Sequence, residues 1–151
     1  MVQRHDPSSV PAPQGGYALG LSAAPLRLLF ISGQIPERRD GTVPEDFEAQ
    51  CRLAWEHVLA VLSDAGLGPV HLLKVTTFLA DRADAELNGR IRREVLGAHE
   101  PALTVVAVNT LDPRWLLEIE AIAGETGPAE RTRDAPCRLD DEQAPSSPSA
   151  K

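Results

Sequence analysis

Apolar residues along this chain recur with two different periods, and the change of period marks the elements. Phe47, Cys51, Ala54, Val58, Leu62 and Ala65 return every third or fourth position, which sets them on one face of a helix. Glu45 and Asp46 stand at its positive end, and Gly66 is placed to stop it. Leu87, Ile91 and Val95 repeat the pattern over a second, shorter helix that Asp84 is expected to cap. Short β-branched and aliphatic runs predict strands over 17–22, 26–32, 70–79, 102–108 and 115–123. Turn signals separate them, with Asp40-Gly41 before the first helix and Asp112-Pro113 between the last two strands. The order is ββαβαββ, an α+β single domain whose sheet carries two helices on one face.

That arrangement leaves the other face bare. In 102–108, Leu103 and Val105 point one way and Val106 and Val108 the other, and 70–79 is also largely apolar on both sides. A second apolar face open to water is a large adhesive patch, and the simplest cover for it is another copy of the chain. Self-association is therefore expected. The ends read differently. Residues 1–15 are rich in Pro, Ser and Gln and are expected to be flexible, 16–124 form the domain, and 125–151 are a Pro/Ser/charged tail expected to be disordered.

Composition narrows the class. The chain of 151 residues suits one domain, 42% of it is hydrophobic and 25% charged. A net charge of -7, with Arg38-Arg39 and Arg92-Arg93 the only adjacent basic pairs, argues against nucleic-acid or anionic-membrane partners. No run reaches the roughly 18 apolar residues of a membrane span, and the first residues lack a signal-peptide core. Cys51 sits in a helical pattern and Cys137 in the polar tail, so no disulfide is expected and a reducing, cytoplasmic setting fits.

Several chemistries fall away on spacing. His5, His57, His71 and His99 form no pair at metal-ligand distance, so no metal is expected. The glycines of 15–20 (GGYALG) precede a strand, whereas a phosphate loop follows one and opens a helix. Ser32 lacks the setting of an activated nucleophile. Two features remain. The strand ending Ile31-Ser32-Gly33-Gln34 offers small and polar groups, with Gly33 allowing a ligand close to main chain. Glu118 and Glu120 lie two apart and project from one face, where burial would raise a carboxyl pKa toward acid/base use. Spacing alone favours the simpler reading, in which both are solvated or paired with arginine.

A set of motifs in fixed order then carries a resemblance: Gly16-Tyr17, FISGQIP at 30–36, Gln50 in the first helix, DAGL at 64–67, LLKVTTFLAD at 72–81, Asn88, PALTVVAV at 101–108 and EIEAIA at 118–123. Together they resemble the RidA/YjgF, or reactive intermediate deaminase, family across about 15–124. The resemblance implies a chorismate-mutase-like fold, a homotrimer, and clefts between neighbouring subunits that hydrolyse small-molecule 2-imino or 2-enamino acids to 2-keto acids and ammonia without a cofactor. It implies that Tyr17, Ser32, Gly33, Gln34, Asn88 and Glu118 line the cleft. Glu118 and Tyr17 would be catalytic, with Glu118 handling the attacking water. One position departs from the pattern. Active relatives place an arginine directly after the Pro-Ala of the penultimate strand to clamp the substrate carboxylate, and here that residue is Leu103. Two lost charge-assisted hydrogen bonds weaken carboxylate binding by about a hundredfold or more. The expectation is an imine or enamine hydrolase that does not act on simple 2-imino acids, unless Arg27, Arg90 or Arg114 replaces the clamp. The alternative is a non-catalytic ligand-binding or regulatory trimer of the same fold. The family's ribonuclease label fits the acidic balance poorly.

Overall fold

The computed structural model describes residues 2–5, 7, 16–23 and 26–126. Helix α1 (Phe47–Asp64) starts where expected, because the Asp46 carboxylate accepts a hydrogen bond from Ala49 N at 2.8 Å. It ends at the expected glycine, with Gly66 N donating to Ser63 O at 2.9 Å and Leu67 N to Leu62 O at 2.8 Å. Helix α2 (Ala85–Leu96) begins differently from the prediction. Asp84 makes no side-chain capping bond; instead Asp81 accepts from Ala83 N at 2.8 Å and caps a 3₁₀ turn, Arg82–Asp84, that feeds the helix.

Among the described residues six strands accompany these helices: β1 (Val2–His5), β2 (Gly20–Ala23), β3 (Leu26–Gln34), β4 (Leu72–Leu79), β5 (Ala102–Ala107) and β6 (Leu117–Thr126). The main sheet has the order β3-β6-β4-β5, with β6 antiparallel to both neighbours and β4 parallel to β5 through the α2 crossover. The α+β fold and the ββαβαββ core match the sequence pattern. Several strand boundaries move, three of them for a visible local reason. Tyr17 and Ala18 precede β2 rather than opening it, and Ala18 bridges Ala102 in parallel while its N–H donates to Pro101 O at 3.0 Å. Residues Pro69–His71 form a 3₁₀ turn, so His71 does not open a strand; its Nδ1 accepts from Gly68 N at 2.9 Å. The last strand starts at Leu117, because Trp115 N closes the preceding turn onto Asp112 O at 3.0 Å.

Of the start, 1–15, only 2–5 and 7 are among the described residues. Residues Val2–His5 form β1, antiparallel to β2, and Arg4 ties this hairpin to Glu100 and to Tyr17 O. Of the predicted tail only 125 and 126 are described, as the end of β6, and the remainder lies outside the described residues. Cys137 falls there too.

The core lies between helices and sheet. Leu117, Ile119, Ala121 and Ala123 alternate along β6 to meet Cys51, Trp55, Val58 and Leu62 of α1 and Ile91 of α2, all buried. The intervening residues face away from the helices. There Phe30 is 70% exposed, Leu28 46% and Val106 40%, which is the bare apolar face inferred from the strand pattern. Gln50, buried in α1, joins the loops around this core. Its amide donates to Pro44 O at 2.7 Å and Arg114 O at 2.8 Å and accepts from Leu116 N at 2.7 Å. Among the described residues no helix is long and apolar enough to cross a membrane.

Candidate functional site

The sequence-nominated residues fall into two groups. The first sits where β3 ends. Register runs Ile31↔Ala121 and then Gln34↔Ile119, so three residue steps on β3 oppose two on β6. Ser32 and Gly33 are the bulge, and a bulge bends a strand and re-aims its groups. Ser32 is exposed, and its carbonyl accepts from the Gln34 side-chain amide at 3.0 Å. Glu118 comes from β6 and lies directly over Gly33. A Cβ at position 33 would stand 1.6 Å from Glu118 Oε1 and 2.6 Å from its Cδ. A side chain at 33 would therefore displace the Glu118 carboxylate from this seat.

Glu120 shares the open face with Glu118, as the spacing predicted. It borders a groove of about 380 Å³ lined also by Phe30, Ser32, Lys74, Thr76 and Ile122. Burial holds the Lys74 ammonium below its ordinary pKa, with Glu120 partly offsetting this, and Lys74 also bonds Thr104.

The second group lies at the opposite edge of the sheet. Leu103 pairs in register with buried Val75 and packs against the helix-side core, so it sits on the face away from Glu118. Asn88, fully buried on α2, has its Oδ1 3.9 Å from Cys51 Sγ, and its Nδ2 has no partner among the described residues. Tyr17 is half-buried beside the first residues of β5. Strand β4 stands between β6 and β5, so two strand spacings, roughly 10 Å, separate Glu118 from the second group. Within one chain the seven nominated residues do not surround one cavity.

The three arginines considered as a replacement clamp are engaged at the surface. Arg27 pairs with Glu125 at 3.0 Å, Arg114 with Asp112 at 2.7 Å, and Arg90 with Glu48 and Glu94 at 3.8 and 3.9 Å. A different arginine, which the sequence reading noted only as half of a basic pair, is buried beside the second group. Arg92 is 5% exposed and lies one turn after Asn88 on α2. Its Nη2 lies 3.3 Å from where a Cβ of Gly16 would stand, and Gly16 has φ +68. The i,i+4 spacing from Asn88 was the signal that could have found it. No group of three or more His, Cys, Asp or Glu among the described residues could hold a metal. Cys51 is free, and burial pushes its thiol up to about 12, so it is no nucleophile near neutrality.

A mixed sheet backed by two helices, with a glutamate seated on a strand bulge, defines a small α+β domain of the Rid type. Residues 8–125 match the family model described as Endoribonuclease L-PSP. A RutC family protein of Pyrococcus horikoshii is 35% identical over 117 residues, covering 76% of this chain and 91% of its own. A 2-iminobutanoate/2-iminopropanoate deaminase of Salmonella typhimurium is 34% identical over 119 residues, covering 76% and 91%. Among solved structures, Escherichia coli TdcF with bound serine aligns with a TM-score of 0.62 at 30% identity, over 82% of this chain and 99% of that one. The chain belongs to the RidA/YjgF family.

Proposed function

We propose that this protein is an imine or enamine hydrolase whose cleft forms between copies of the chain, with Glu118 as its acid/base. The observation that carries the proposal is the Glu118 carboxylate seated over Gly33 at the β3 bulge, a seat that a side chain at 33 would take from it. Water adds to the C=N carbon as Glu118 takes its proton. Glu118 returns that proton to nitrogen, giving a carbinolamine; the hydroxyl proton then moves through Glu118 to the same nitrogen as the C–N bond breaks, so that ammonia leaves and a carbonyl remains. Tyr17, Ser32, Gln34 and Asn88 supply hydrogen-bonding groups that orient the ligand. The deaminase named among its relatives supports this reaction class, and TdcF with bound serine supports a small-molecule site. The net charge of -7 makes a hydrolase of RNA the weaker reading.

Assembly follows from the same geometry. The bulge group and the Asn88–Leu103 group occupy different faces of one sheet, so a shared cleft needs a neighbour, and the exposed Phe30 face offers it a surface. A homotrimer is the assembly we propose, and light scattering is expected to return three times the chain mass. Leu103 withholds a clamp from β5, so simple 2-imino acids are poor substrates unless their acid group is held from elsewhere. The test is a coupled assay of 2-imino acids generated in situ from serine and threonine. Glu118→Gln is expected to lose at least about a hundredfold in turnover with its assembly unchanged, and Leu103→Arg to gain. Hydrolysis by Glu118→Gln at the wild-type rate would remove the proposal in favour of a binding protein of the same fold.

A further inference from the structure

Burying a guanidinium without a counter-charge is strongly unfavourable, because the group stays ionised and loses its water. Most arginines whose ion pairs are given above are surface groups meeting carboxylates, and Arg52 is likewise half-exposed and pairs with Glu48 at 2.7 Å and Glu94 at 2.8 Å. Arg92 breaks that habit. It is 5% exposed, takes part in no ion pair among the described residues, and its Nε has no hydrogen-bond partner there. Burial and the like charge of Arg93 disfavour its charged form, and the Tyr17 phenol oxygen only partly offsets them. One turn earlier on the same helix, the buried Nδ2 of Asn88 is a second donor without a partner.

Two buried donors, one of them cationic, therefore stand one turn apart on α2, with Arg92 beside Gly16, two residues before the point where Ala18 bridges to Ala102. Their surroundings are fitted to them. A Cβ on Gly16 would stand 3.3 Å from Arg92 Nη2, a tight contact, so the glycine lies directly beside the guanidinium. Leu103 lies on this same helix-facing side of β5 and contributes no polar atom, so recognition here falls to α2. A carboxylate has the acceptor geometry that a guanidinium fork and an amide N–H together satisfy.

We propose that Arg92, assisted by Asn88, is the anion subsite of this protein, holding the carboxylate of a small-molecule ligand from α2 rather than from β5. This rests on the cleft described under the proposed function, and it supplies from the helix what Leu103 withholds. The role is binding, and it makes no demand on Glu118.

The experiment is calorimetric titration of the full chain with 2-oxobutanoate and, separately, with its methyl ester. The acid is expected to bind at least tenfold more tightly than the ester. Arg92→Met is expected to lower affinity for the acid ten- to a hundredfold while leaving the ester unchanged, and Arg92→Lys to retain part of the selectivity. Thermal unfolding and light scattering of Arg92→Lys guard against a folding defect in the methionine variant. Equal binding of acid and ester, no binding of the acid, or an affinity for the acid that survives Arg92→Met each overturns the proposal. A change of assembly mass in both variants, with acid selectivity intact, assigns Arg92 to a subunit contact and overturns it equally. Because binding is read without turnover, a protein that selects the acid yet hydrolyses no imine sinks only the hydrolase reading. Turnover without acid selectivity sinks only this one.

Discussion

The two faces of the sheet are made from the same four strands, yet they follow different rules. On the helix side, β6 presents Leu117, Ile119, Ala121 and Ala123, each at most 3% exposed, against Trp55 and its neighbours. On the other side the alternate residues of the same strands are Glu118, Glu120, Ile122, Phe30, Lys74 and Val106, a mixture of charge and uncovered ring. One face minimises empty space and the other preserves groups that can meet a ligand or a second chain. A single strand such as β6 serves both because its side chains alternate at every residue. The difference teaches where substitutions should be felt as stability and where as assembly or binding.

The sharpest contrast should come from Trp55→Ala. It empties a fully buried site and is expected to cost about 3–5 kcal/mol in urea unfolding. A loss below about 1 kcal/mol would mean the covered face is loosely packed. Gln50→Leu comes next. It strips partners from Pro44 O, Arg114 O and Leu116 N while keeping volume, and is expected to cost about 2 kcal/mol in the same measurement.

The covered face should also respond to alkali. Buried Cys51 keeps its proton to about 12, against an ordinary value of 9.0, so its contribution is whole below pH 9 and is lost as pH climbs toward 12. Stability should fall there by up to about 1.4 kcal/mol per pH unit, and Cys51→Ala should flatten the fall. Lys74, whose pKa is lowered, bends the curve the other way, so the variant's difference from wild type is the quantity to read. The smallest effect belongs to the open face. Phe30→Ser is expected to change the unfolding free energy of dilute chain by no more than about 0.5 kcal/mol, yet to lower the mass seen by light scattering. A large stability loss from Phe30→Ser would erase the distinction between the faces.

Much of this was legible in the chain. The period of α1, its Asp46 cap and its Gly66 stop could all be read because they are local, as could the bare second face, which follows from apolar residues at both parities of β5. Asp84 misled because a capping residue is recognised by type, whereas the cap is decided by whether a 3₁₀ turn precedes the helix. Strand β1 was missed because Val2–His5 carries a single aliphatic residue and owes its conformation to pairing with β2. Glu118 and Gly33 were nominated separately; their contact depends on a bulge that spacing does not announce. Arg92 escaped because a helical arginine is ordinarily at the surface, and only the fold reveals that it is buried with Gly16 beside it.

The strand order carries one more consequence, for how the molecule comes together. Strands β4 and β5 meet across a short crossover, with Val75 beside Leu103, whereas β3 and β6 close nearly the whole described domain by setting Leu26 beside Thr126. Loop-closure entropy makes the second junction dearer by about 1 kcal/mol. The Arg92 half is built on a nearly self-contained βαβ stretch, and the Glu118 half on a seam between distant ends. Heat or denaturant that first parts this seam is therefore expected to abolish the proposed hydrolysis while leaving the proposed anion-holding helix in place.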